Sequence, residues 1–235
     1  MLTHYTRTVA SVGNILRHGF AWIPNRRRLA HVLIPQHDYT RREPQQFGMI
    51  SFTEIPPQDA QAHSDMFGPF GIVVTDAWAQ AHRAQRVFYV DEAGPVFEAL
   101  RTLFALGYID VQRKIPYPDD AGWLMAYENK AAAIGAPDSV LWANLLQLWE
   151  YLEPSSSSAQ REWRIVNPYP HYFSEDKQQL IAQVSPPKNW AKVTHVVKIV
   201  RGDVVELVCP HSAVKALRHE LPEEYRNVAM VEVAG

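Results

Sequence analysis

Residues 48–90, GMISFTEIPPQDAQAHSDMFGPFGIVVTDAWAQAHRAQRVFYV, constrain the fold of this chain more than any other stretch. The order reads as a short buried strand (49–52), a polar turn with two prolines, and a short helical segment. Phe67-Gly68-Pro69-Phe70-Gly71 follows, then a second apolar run (72–74), a helix from Thr75 and a third strand, 86–90. Apolar runs supply the strands, and Gly and Pro punctuate the turns between them. Strands alternating with short helices predict an α+β fold. Chemistry is expected at the polar end of the first strand, Ser51-Phe52-Thr53-Glu54.

Upstream, residues 2–6 read as a strand that puts His4 and Tyr5 on opposite faces. Residues 8–18 read as a helix, with Val9, Val12, Ile15 and Leu16 at helical spacing and Gly19 at the capping position. Downstream, 94–107 carries a helical stripe of Val96, Leu100, Leu103 and Phe104. A further helix is expected from Asp138 or Ser139 to about Glu153, with Trp149 in its apolar stripe. Pro154 and Ser155–Ser158 read as a flexible connector. Residues 160–166 alternate as a strand, with Glu162 and Arg164 on one face and Trp163 and Ile165 on the other. The last third predicts a helix over 174–184 and strands at 193–200 and 204–208 joined by an Arg201-Gly202-Asp203 hairpin turn. A helix over 211–221 and a strand over 227–233 close the chain.

With 47% hydrophobic and 11% aromatic residues, the 235-residue chain has the means to bury a proper core. The expectation is a single α+β domain over 1–235, a mixed or antiparallel sheet with peripheral helices. A net charge of -2 announces no nucleic-acid or membrane partner. The single cysteine, Cys209, excludes an internal disulfide and a multi-thiolate zinc site. No apolar run reaches the roughly 20 residues that span a bilayer. Residues 1–7 lack the apolar core of a secretion signal. A cytoplasmic protein is expected.

Arg26, Arg27, Arg28, Arg41 and Arg42 lie in an irregular basic segment. It reads either as a solvated loop or as an anion-binding arm, since guanidinium forks match phosphate oxygens. A dinucleotide pyrophosphate or a nucleic-acid backbone would serve equally as the anion. Cys209 and His211 offer too few ligands for a zinc site, and no phosphate-binding glycine loop or His-Glu-x-x-His pattern is present. Trp142 and Trp149, seven apart on the expected helix, fit either a partner interface or core packing.

The motifs Ile50-Ser51-Phe52-Thr53-Glu54, Phe67-Gly68-Pro69-Phe70-Gly71-Ile72, Trp78, Val87-Phe88-Tyr89-Val90 and Glu162-Trp163-Arg164-Ile165 together resemble the abortive-infection AbiGi family of bacterial phage-resistance proteins. That resemblance implies phage defence and the antitoxin-like half of a two-component toxin–antitoxin system, with a protein partner. A more distant resemblance, to ADP-ribosyltransferase folds, rests on His4-Tyr5-Thr6, Ile15-Leu16 and Gly19, on Ser51 and Thr53, and on Glu162. It implies NAD as substrate, His4 at a ribose, Ser51 and Thr53 on the middle strand, and Glu162 as the catalytic carboxylate. Tyr5 or Phe52 would stack on a ring, and Arg26 to Arg28 would neutralise the pyrophosphate. Here the usual acidic residue two places before the glutamate is Gln160. That departure favours NAD hydrolysis or a nucleic-acid acceptor over an amino-acid one. The same residues also fit plain structural roles: Glu162 facing water, His4 as an ordinary histidine, Ser51 and Thr53 bonding the backbone. A non-enzymatic antitoxin and a nucleic-acid-binding protein are the alternatives.

Overall fold

Five residues at the amino terminus, Leu2–Thr6 (β1), run through the middle of the main sheet. They come from a computed structural model that describes residues 1–24, 45–111, 145, 147–173, 180–183 and 196–233. After β1 come α1 (Val9–His18), β2 (Phe20–Ala21), β3 (Ile23–Pro24), β4 (Gln45–Thr53), α2 (Gln61–Phe67), β5 (Phe70–Val74) and α3 (Asp76–Ala81). The chain continues through β6 (Gln85–Arg86), β7 (Phe88–Val90), α4 (Pro95–Val111), β8 (Leu152–Pro154), β9 (Glu162–Phe173) and β10 (Leu180–Gln183). It ends in β11 (Val196–Val197), β12 (Val204–Pro210), α5 (Val214–Glu220) and β13 (Ala229–Val233).

The described residues fall into two units: those up to Val87 with those from Ser158 onward, and Phe88–Ser157. The first holds a sheet in the order β10-β9-β4-β1-β5-β12-β13, with β3 beside β4 and β6 beside β9. Its pairings are antiparallel except β12 with β13. The fold is thus mixed α/β, built on a mostly antiparallel sheet. One sheet face carries Leu2, Ile50, Phe52, Ile72, Val74, Ile165 and Leu207, all buried. They pack in one cluster with Val12 and Leu16 of α1 and Leu217 of α5. Each large apolar side chain so buried contributes about 2 kcal/mol.

Local chemistry explains α1. Thr8 caps it, its hydroxyl accepting from the Ser11 N–H at 3.1 Å. Gly19 ends it at φ +101°, where a Cβ would lie 2.6 Å from the Val197 carbonyl oxygen. Gly68, at φ +112°, closes α2 with its N–H on the Ser64 carbonyl, and a Cβ there would stand 2.4 Å from backbone atoms of Thr6 and Arg7. That close approach is why the Phe67-Gly68-Pro69 turn needs glycine.

Several expectations are corrected. The serine run does carry the chain from the second unit to the first, but it is not irregular: Ser155–Gln160 winds into a 3-10 helix with Ser157 buried. Leu180–Gln183 is strand, not helix, because it extends the sheet along β9; tertiary pairing overrides local propensity there. Residues 201–203 turn the chain, yet form no hairpin, since β12 pairs with β5 and β13. Of the expected 193–200 strand, Val196–Val197 is strand and 198–200 is not, while 193–195 lie outside the described residues. The expected 86–90 strand splits at Val87, β6 joining β9 and β7 pairing in parallel with β8. Leu152–Pro154, expected at a helix end, is that β8 partner. In the second unit Phe97, Phe104, Leu145 and Trp149 are buried, and the rings of Phe104 and Trp149 meet edge to face at 5.3 Å. Trp149 therefore packs in a core, whereas Trp142 lies outside the described residues.

Candidate functional site

Three neighbouring strands bring the candidate residues together. Thr3 of β1 pairs with Thr53 of β4, and Thr53 pairs with Glu162 of β9. Residues directly opposite in a ladder share a face, and faces alternate along each strand. Thr3, Tyr5, Ser51, Thr53, Glu162 and Arg164 therefore stand on one face. Leu2, His4, Phe52 and Trp163 stand on the other.

His4 is thereby separated from Ser51 and Glu162. Its ring packs at 5.1 Å from Phe20 and 5.6 Å from Phe52, and its Nδ1 lies 2.8 Å from the Ser51 carbonyl oxygen, to which it donates. Burial lowers its pKa, the Ser51 carbonyl pulling weakly the other way. It is a neutral ring in an aromatic nest. Phe52 and Trp78 belong to that same buried cluster, so Phe52 does not present a stacking surface.

Tyr5, not His4, stands on the face of Ser51 and Glu162. Its hydroxyl is buried without a hydrogen-bond partner, and burial pushes its pKa up to about 12. Such an orphaned donor costs stability unless something else binds it. Beside Tyr5 lies a cavity of about 200 Å³, lined also by Gln58, Gln61, Ser64 and Glu232. That is smaller than the roughly 300 Å³ of an ordinary ligand pocket, room for one ring and not for a dinucleotide.

Ser51 is half-buried, its hydroxyl 4.0 Å from the Met49 sulfur, a weak contact. Thr53 differs. Its side chain donates to the Gln160 carbonyl at 2.8 Å and accepts from the Ile55 N–H at 3.2 Å. Being 2% exposed and bonded both ways, it is a structural clasp, which corrects its expected role in binding.

Glu162 does not face open water. Arg164 donates to both of its oxygens, at 2.8 and 2.9 Å, and the side chains are 12% and 3% exposed respectively. A two-toothed arginine fixes both the direction and the plane of the carboxylate. His63 of α2 is the neighbour that sequence reading missed. It is buried, 6.1 Å from the Tyr5 ring and 5.7 Å from Phe67. Burial lowers its pKa; a hydrogen bond to the Gln160 carbonyl and the charge of Glu162 partly oppose this. Its only sequence signal was the four-residue spacing to Phe67 on a helix.

Arg26 and Arg28 lie outside the described residues. Cys209 is fully buried and the His211 side chain is 88% exposed, so they form no metal pair. Among the described residues no group of three or more His, Cys, Asp or Glu side chains could hold a metal ion, and no helix is long and apolar enough to cross a membrane. No family model, curated protein or solved structure matches the chain.

Proposed function

We propose that this chain is a phage-defence enzyme with an ADP-ribosyltransferase-like fold, which binds NAD and cleaves it or transfers its ADP-ribose to a protein or nucleic-acid acceptor. One observation carries the reading. The strand bearing Glu162 lies beside the strand bearing Ser51, which lies beside β1, and Tyr5, Ser51 and Glu162 share a face. NAD offers what that face can use: the cavity beside Tyr5 takes one ring of the dinucleotide, the Tyr5 hydroxyl has no hydrogen-bond partner, and the Ser51 hydroxyl has only a weak one.

In this reaction the bond between ribose C1′ and the nicotinamide nitrogen breaks, and its electron pair leaves with nicotinamide. Positive charge develops on the ribose. The Glu162 carboxylate accepts from the ribose 2′-hydroxyl and stabilises that charge, and Arg164 keeps it aimed. A water or acceptor hydroxyl then bonds to C1′ and loses its proton. Incubation of the pure protein with NAD, with and without nucleic acid or protein acceptors, is expected to release nicotinamide. Glu162→Gln is expected to slow that release about 100-fold or more. Equal release by both proteins, or none with any acceptor, overturns the reading.

A further inference from the structure

We infer that Thr53 is a positioning residue: its hydroxyl latches the Gln160 carbonyl and thereby sets where the Glu162 carboxylate stands. The inference rests on reading Glu162 as the catalytic group, and it adds residues that act only through the backbone. Gln160 ends the 3-10 helix Ser155–Gln160, and Glu162 opens β9. The single residue between them, Arg161, has φ +46°, the left-handed region that side chains other than glycine rarely adopt. A residue held there persists only where its surroundings over-determine it.

Those surroundings are specific. The Thr53 hydroxyl reaches the Gln160 carbonyl at 2.8 Å from the position directly opposite Glu162 in the ladder. The Gln160 carbonyl also favours the charged form of the buried His63 ring of α2, against the larger effect of burial. The Glu54 N–H reaches the Arg161 carbonyl at 3.3 Å, the Arg161 N–H reaches Ser158 at 3.2 Å, and the Val87 N–H reaches the Glu162 carbonyl at 2.9 Å. Backbone bonds thus tie the residues after the carbonyl, while the Thr53 side chain holds the carbonyl itself. With the hydroxyl gone, the left-handed Arg161 is free to relax, and that rotation swings the Cα–Cβ bond of Glu162. Displacement of a charge-stabilising group by about 1 Å costs on the order of 100-fold in rate.

Thr53→Val removes the hydroxyl at nearly constant shape, and Thr53→Ser keeps it. In NAD turnover, Thr53→Val is expected to lower kcat about 20-fold or more with KM within threefold. Thr53→Ser is expected within threefold of the parent. Amide hydrogen exchange by NMR gives a readout free of catalysis. In Thr53→Val, the Glu54 and Arg161 amides are expected to exchange about tenfold faster while those of β5 and β12 keep their protection. Equal turnover by the Val and Ser variants, or a change confined to KM, overturns the latch. A parent protein that cleaves no NAD overturns the catalytic reading of Glu162, and the exchange comparison then decides the latch by itself: unaltered Glu54 and Arg161 amides overturn it.

Discussion

Arg164 holds Glu162 by both carboxylate oxygens, at 2.8 and 2.9 Å, from two positions further along the same strand. Both side chains are withdrawn from water, so neither charge has the solvent to fall back on.

Breaking that pair from the cationic side takes two hydrogen bonds from a largely buried carboxylate. Arg164→Met is expected to destabilise the protein by about 3 kcal/mol or more, measured by urea unfolding near neutral pH. A loss under about 1 kcal/mol would show the pair to be an ordinary surface contact.

Tyr5→Phe deletes a buried hydroxyl that has no partner. Stability is expected to rise by about 1 kcal/mol while nicotinamide release falls. The parent also has a sign that the variant lacks. A tyrosine whose pKa is raised to about 12 from 10 when folded keeps its proton longer than the unfolded chain does. Its contribution to stability is full below pH 10 and is lost as pH rises toward 12. Denaturant midpoints of the two proteins at pH 9 and 11 test this; a variant less stable than the parent at pH 9 refutes it.

At Gly68 the space beyond Cα is already filled by backbone of Thr6 and Arg7, and φ is +112°. Gly68→Ala is expected to cost at least about 2 kcal/mol. Gly202 has nothing within 4 Å of a Cβ, so Gly202→Ala should stay within about 0.5 kcal/mol. Thermal unfolding of the two variants side by side separates them, and similar midpoints would contradict the steric account.

His4 answers acid. Its folded pKa lies below 6.5 because burial disfavours the charged ring. The unfolded chain therefore takes up the proton first, and stability present above about pH 6.5 drains as pH falls through the folded value. The buried His63 and the half-buried His82 shift in the same direction. The exposed His211, raised by Glu232, shifts in the opposite one. His4→Phe keeps the aromatic packing and is expected to flatten the loss between pH 7 and 5 in urea midpoints. An unchanged slope would mean that His4 titrates freely.

Much of this organisation was written locally. Thr8 and Gly19 bracket α1 where hydroxyl and glycine chemistry demand, and the alternation around Glu162 marked β9 correctly. Local signals failed at Leu180–Gln183 and at the Arg201-Gly202-Asp203 turn. Both take their structure from a distant strand: β9 in one case, β5 and β13 in the other. His63 stayed hidden for the same reason, since its significance lies in facing Tyr5 and Glu162 across the sheet surface.

Alternation along residues 2–6 already put His4 and Tyr5 on opposite sides, because successive side chains on a strand must diverge. Which side would become the core was not written there. Phe20, Phe52 and Trp78 come together over His4, while Ser51, Glu162 and Arg164 are delivered beside Tyr5. That choice depends on strand order, and strand order joins residues some 50 and 110 positions apart (Thr3 with Thr53, Thr53 with Glu162). Apolar burial, which takes whichever face the helices can cover, settled it.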